Sequence, residues 1–177
     1  VLRSTIEAAW YKFVNDNTES EVTVIFADES APRPNKPYIT LKIISGPNAK
    51  GFDDIRYINN TEFSLSGMRQ YSLSIQGFGV DMHDALSKLQ TILDSPNVIA
   101  QLKEDADIAI VNKGSVSDIT VALETSFERR FNMDIIFNTS ENLSITLDVI
   151  ESTKIGGKLI KEDNTENIVD DFLVPNN

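Results

Sequence analysis

The sequence predicts an α+β domain: an antiparallel β-sheet with an N-terminal helix and a central helix pair packed on it, plus a long β-hairpin arm. Three observations carry this. Apolar residues recur at helical spacing at the start of the chain and again near its middle. Most of the remaining segments alternate apolar and polar residues with period two. The resulting order is α-β-β-β-β-α-α-β-β-β, with no internal repeat.

Ser4 and Glu7 have the spacing of a capping box. Behind them Ile6, Ala9, Trp10, Phe13 and Val14 form one stripe of a helix ending near Asn15. A β-branched strand spans residues 22–26, and a second, alternating strand starts at Tyr38 and runs to Ser45. Between them eleven residues, Ala27 to Pro37, contain Pro32, Pro34 and Pro37 with Arg33 and Lys36 among them. Prolines fix φ and bias the preceding residues toward extended backbone, so this segment reads as a preformed arm. Residues 46–54, "GPNAKGFDD", read as a loop. "IRYINNTEFSLSG" and "MRQYSLSIQGFG" read as an antiparallel pair with one solvated face.

The clearest helix follows. Asp81 is placed at its N-cap, and Met82, Ala85, Leu86, Leu89, Ile92 and Leu93 form its buried stripe. Ser95 and Pro96 start a second short helix with Val98, Ile99 and Leu102 on its apolar face. A short strand covers residues 108–112. A long hairpin over residues 124–149 then turns at "NTSEN", residues 138–142. The domain is expected to cover residues 1–157. Residues 158–177 read as an acidic, Asn-rich, mobile tail with one apolar patch from Ile168 to Val174.

Composition narrows the function. The 177 residues are 41% hydrophobic and 24% charged, enough for one domain with a sizeable core. A formal net charge of −11 disfavours a nucleic-acid grip, which needs clustered cations on phosphates. With no cysteine, disulfides, Cys-rich zinc sites and thiol nucleophiles are excluded. No apolar run approaches the roughly 18 residues of a membrane span. The first ten residues read as an amphipathic helix, not a signal peptide.

Each candidate for chemistry fails on its own requirements. Gly46 and Gly51 have phosphate-loop spacing, but Phe52 and Asp53 stand where Lys and Ser/Thr must follow. Asp81, His83 and Asp84 do not converge on one ion from a regular helix. Glu104, Asp105 and Asp107 lack the glycine of a calcium loop. Carboxylates are abundant, yet nothing singles out a hydrolytic pair. In "FERRF" Arg129 falls on the face of Phe127, Phe131 and Met133. Such an arginine either meets a carboxylate or a subunit boundary, or reaches solvent from an edge strand. No enzyme, cofactor or metal site is expected. What the chain offers is a set of devices for contact.

Four stretches together resemble the neck or tail terminator proteins of long-tailed bacteriophages. They are "VIFADESAPRPNKPYITLKI", "SGMRQYSLSIQGFGVDMHDALSKLQTILDSP", "ITVALETSFERRFNMDIIF" and the preceding N-terminal helix. The matching positions are Ala27, Asp28, Ala31, Pro32, Pro34, Pro37, Tyr38 and Thr40, then Gly67, Arg69, Gly77 and Gly79, then Glu128 and Arg129. The resemblance covers roughly residues 1–157.

The resemblance implies a structural virion protein that assembles as a ring, usually a hexamer, in the host cytoplasm and resides at the neck. Such a ring caps the completed tail tube, meets the head–tail connector and, in contractile tails, holds the sheath, while DNA passes through its lumen without specific binding. A head-completion or connector ring of the same neck is the alternative, followed by a soluble binding module unrelated to phage. Candidate inter-subunit or partner contacts are Asp28, Pro32, Arg33, Pro34, Lys36, Pro37, Arg69, Arg129, Ile168 and Phe172. Arg33 is expected to meet a carboxylate on the next chain.

Overall fold

The computed structural model describes residues 2–28, 30, 32–59, 61–122 and 127–146, and the backbone of four short strands beyond them. Helix α1 (Arg3–Asn17) leads into β1 (Thr23–Phe26), β2 (Tyr38–Tyr57) and β3 (Glu62–Phe78). Helices α2 (Met82–Ile92) and α3 (Pro96–Ala106) follow, then β4 (Ala109–Lys113), β5 (Ser117–Asp118), β6 (Val121–Ala122), β7 (Phe127–Glu128) and β8 (Arg130–Thr146). The main sheet has the order β1-β2-β3-β8-β4, with β5 also on β8. The architecture is α+β, as the sequence predicts.

The predicted buried stripe of α1 is the one observed: Ile6, Ala9, Trp10, Phe13 and Val14 are all buried. They pack with Ile39 and Leu41 of β2, Tyr71, Leu73 and Ile75 of β3, and Met133, Ile135 and Phe137 of β8. Leu86 and Leu89 of α2 and Leu102 of α3 complete the same core. The expected capping box does not form, because α1 begins at Arg3 with Leu2 at its N-cap. Glu7 instead accepts a hydrogen bond from Arg3 Nε at 2.8 Å, one helical turn away. Asp81 precedes α2 with φ +66° and makes no side-chain cap bond; Ser95 likewise makes none. Ile99, placed on the apolar face of α3, is half exposed.

Three expectations for the strands are corrected. Residues 46–54 are not a loop: β2 runs through them for 20 residues. The two segments read as an antiparallel pair are mostly one 17-residue strand, β3. Its partner in the hairpin is β2, since Gly46 faces Tyr71 and Gly67 faces Asp53, a descending register. The long hairpin is therefore present, but built from β2 and β3. The "NTSEN" segment is not a turn either, because β8 passes straight through it. Its polar side chains are held across the strand pair. Ser66 Oγ donates to Asn142 at 2.7 Å, and Gln70 Nε2 donates to Asn138 at 3.2 Å.

Gly46 has φ +115°, and a Cβ there would sit 2.8 Å from Tyr71 Cγ and 2.9 Å from the Gln70 carbonyl oxygen. Strain and clash act together, so Gly46→Ala should cost about 2 kcal/mol or more. Urea unfolding checks this; an unchanged midpoint would contradict the strand path.

The proline segment also gains a reason for its length. Strands β1 and β2 are parallel, with Thr23 opposite Tyr38 and Phe26 opposite Leu41. A tight turn cannot join parallel neighbours; the chain must return along the strand. Residues 27–37 are that return.

By contact density the chain divides into Val1–Ile55 with Leu65–Leu143, and Arg56–Ser64 with Ser144–Asn177. In the second unit, β9 (Ser152–Ile155) pairs antiparallel with β12 (Phe172–Pro175), and β10 (Lys158–Ile160) with β11 (Glu166–Ile168).

Candidate partner-contact surface

The sheet face opposite α1 carries its own small cluster. Period-two alternation sends Ile39 and Leu41 into the core and Tyr38 and Thr40 the other way. Tyr38 is buried and stacks on Phe78 of β3, with centroids 4.5 Å apart and planes 9° apart. The Arg130 guanidinium carbon lies 4.7 Å from the Phe78 ring centroid, a cation–π contact. Phe26, Pro32, Arg33, Pro34 and Gln76 are among the other residues lining a cleft of about 360 Å³ over this floor. Pro37 packs against Gly79, where a Cβ would sit 3.3 Å from Pro37 Cα.

Beside the cleft is a buried carboxylate, Glu128, with 8% exposure. Lys36 Nζ is 3.0 Å from it, Arg130 Nη2 donates to it at 3.2 Å, and Arg33 Nη1 is 3.8 Å away. The Lys36 hydrogen bond holds the Glu128 carboxyl below its ordinary range; burial opposes this, and the charges of Lys36, Arg130 and Arg33 add to it. Arg33 is 72% exposed, so most of its donors face solvent. Among the described residues Arg130 Nε is buried with no hydrogen-bond partner. Three cations thus surround one carboxylate in a chain of net charge −11.

A second network lies further along the hairpin. Arg69 Nη1 and Nη2 donate to the two Asp53 oxygens, each at 2.7 Å, and Nε donates to Glu141 at 2.7 Å. These bonds, led by that to Asp53, push the Arg69 pKa up; the same pairing lowers that of Asp53. A Cβ on Gly67 would clash with the Asp53 carboxylate and Arg69, which explains glycine there.

The sequence-derived contact residues are now placed. Pro32, Arg33 and Pro34 line the cleft, as does Asp28, which also pairs with Lys42 at 2.5 Å. Lys36, 45% exposed, pairs with Glu128 of its own chain at 3.0 Å. Arg69 is engaged within the chain. Arg129 is exposed and not on the core face, because the ladder breaks between β7 and β8 at this residue. The break leaves Phe127 exposed and puts Glu128 inside. Ile168 and Phe172 lie in β11 and β12; their side chains fall outside the described residues. Tyr38, Phe78, Glu128 and Arg130 as one constellation were missed. The available signal was four cations, two in "PRPNKP" and two in "FERRF", in a chain of net negative charge.

Among the described residues no group of three or more His, Asp or Glu is placed to hold a metal. No helix is long and apolar enough to cross a membrane. The fold and this surface define a small α+β domain with a charged, aromatic cleft beside its proline segment. A family model described as phage neck terminator protein matches residues 4–163, and the chain belongs to that family, a structural component of the virion neck. The match extends a few residues beyond the resemblance seen in the sequence. A comparison with curated proteins found no match.

Proposed function

We propose that the chain assembles into a ring, a hexamer, that closes the completed tail tube and joins it to the head–tail connector. The family membership over residues 4–163 carries this reading. The cleft beside the proline segment supplies a surface suited to a subunit or neck partner: its floor is aromatic, and its rim holds unneutralised positive charge. The tail tube and connector proteins are its partners, with the sheath added in contractile tails. The net charge of −11 per copy suits a lumen through which DNA slides without sticking. Residues 158–177 are a further docking segment for a neck partner.

The test is a phage lacking this protein. Its lysates should hold filled heads and unjoined tails with tubes beyond normal length, and added purified protein should restore joined particles. Joined virions with normal tails in its absence would overturn the reading. Deleting residues 161–177 should weaken joining while leaving the far-ultraviolet dichroism of the main sheet in place.

A further inference from the structure

Resting on the ring reading, we infer that the Phe52–Asp54 face of β2 in one copy docks into the proline-lined cleft of the next. Phe52 is fully exposed, at 103%. A large aromatic left entirely in water on a regular strand forgoes its burial energy, unless another surface covers it. Asp54, two residues on, shares its face and is also exposed. The pair offers an aromatic ring and an exposed carboxylate on one face.

The cleft offers the complement. Its floor is the Tyr38–Phe78 stack, and its walls are Phe26, Pro32 and Pro34. Its charge is positive: Arg33, 72% exposed, holds Glu128 only at 3.8 Å, and the partly exposed Arg130 also lines it. A single carboxylate arriving beside the ring would meet both guanidinium groups. A second opposite-sign pair is available, since Lys50 lies beside Phe52 and Asp54, and Asp28 lines the cleft.

The two surfaces cannot meet within one chain. Both include residues of β2, and Phe52 is twelve residues beyond Thr40, a cleft residue. That is roughly 40 Å of extended strand. Docking is therefore between copies, and it is heterologous: one patch against a different patch. Heterologous contacts propagate head to tail and close into rings when the rotation allows. The pairing so supplies the interface that a ring needs.

Sedimentation velocity of the purified full chain tests this. Wild type should form oligomers. Phe52→Ser and Asp54→Arg should each raise the concentration of half-assembly by about tenfold or more. Arg33→Glu should do the same. Mixing the Arg33→Glu and Asp54→Arg chains should restore assembly, because each reversed charge then faces its opposite. Phe52 and Asp54 are exposed, so their variants keep the fold, which circular dichroism verifies. The inference is overturned if wild type stays monomeric, if Phe52→Ser and Asp54→Arg assemble normally, or if mixing restores nothing. Loss of duplex-DNA binding in Arg33→Glu with assembly intact would assign the cleft to phosphate and also overturn it. Normal assembly of these variants, in a protein whose loss still leaves unjoined tails, rejects the pairing and not the neck role.

Discussion

Trp10→Ala should lower the unfolding free energy by about 3–5 kcal/mol, the largest loss expected from any single truncation in this chain. Trp10 is fully buried, and it joins α1 to β8 on the core face of the sheet. Its ring lies 5.9 Å from Phe13 in an edge contact and 5.3 Å from Phe137 of β8. Phe137 in turn stacks on Tyr71 of β3 at 5.5 Å. Removing the indole leaves a cavity bounded by three elements that cannot all relax inward. Among the described residues the indole N–H has no hydrogen-bond partner. Trp10→Phe removes that unsatisfied donor along with some volume, and so should cost far less, about 1–2 kcal/mol. Urea unfolding followed by circular dichroism measures both. Equal losses for the two variants would show that ring volume is not what Trp10 contributes.

Glu128→Ala is the second large effect, about 2–3 kcal/mol. Breaking a buried ion pair from one side typically costs more, because the partner charge is stranded. Here Lys36 and Arg33 are 45% and 72% exposed and can turn to water, which reduces the penalty. Arg130, 26% exposed and held over Phe78, cannot do so as readily. The effect carries a pH signature. The folded carboxyl is held below its ordinary range, so the native state binds its proton less readily than the unfolded chain. The stabilisation is complete above the unfolded carboxylate pKa of about 4.3 and is lost as pH falls through the lower folded value. Wild type should therefore lose stability below about pH 4, and Glu128→Gln should show a shallower slope there. Asp53, Asp107 and Asp118 are also held low, by Arg69, by Lys103 and Ser140, and by Thr120 respectively, so part of the slope remains. An identical slope in the variant would exclude Glu128 as a source of acid sensitivity.

The helices were legible in the sequence because their burial is written in one periodic stripe each. Trp10 and Leu89 sit where period 3.6 puts them. The long strands were not, because residues such as Gly46, Pro47, Asn138 and Asn142 carry local turn signals. Those signals lose to cross-strand bonds that only the folded neighbours supply, such as Ser66 to Asn142. The parallel pairing of β1 with β2 was likewise invisible, although its consequence, an eleven-residue return, stood out at once. The surface was half legible. The proline segment and Arg33 stood out, while the burial of Glu128 and its pairing with Lys36 depend on the break at Arg129. An alternation pattern cannot register a one-residue break, and every residue beyond it changes face.

The central claim is a ring of this protein at the junction of tail and head, and cryo-electron microscopy of intact virions tests it most directly. The account predicts a closed ring of this fold between the last tube ring and the connector, with the proline cleft of each copy occupied by its neighbour. Density for this fold at the tail tip, or its absence from the finished neck, would contradict it.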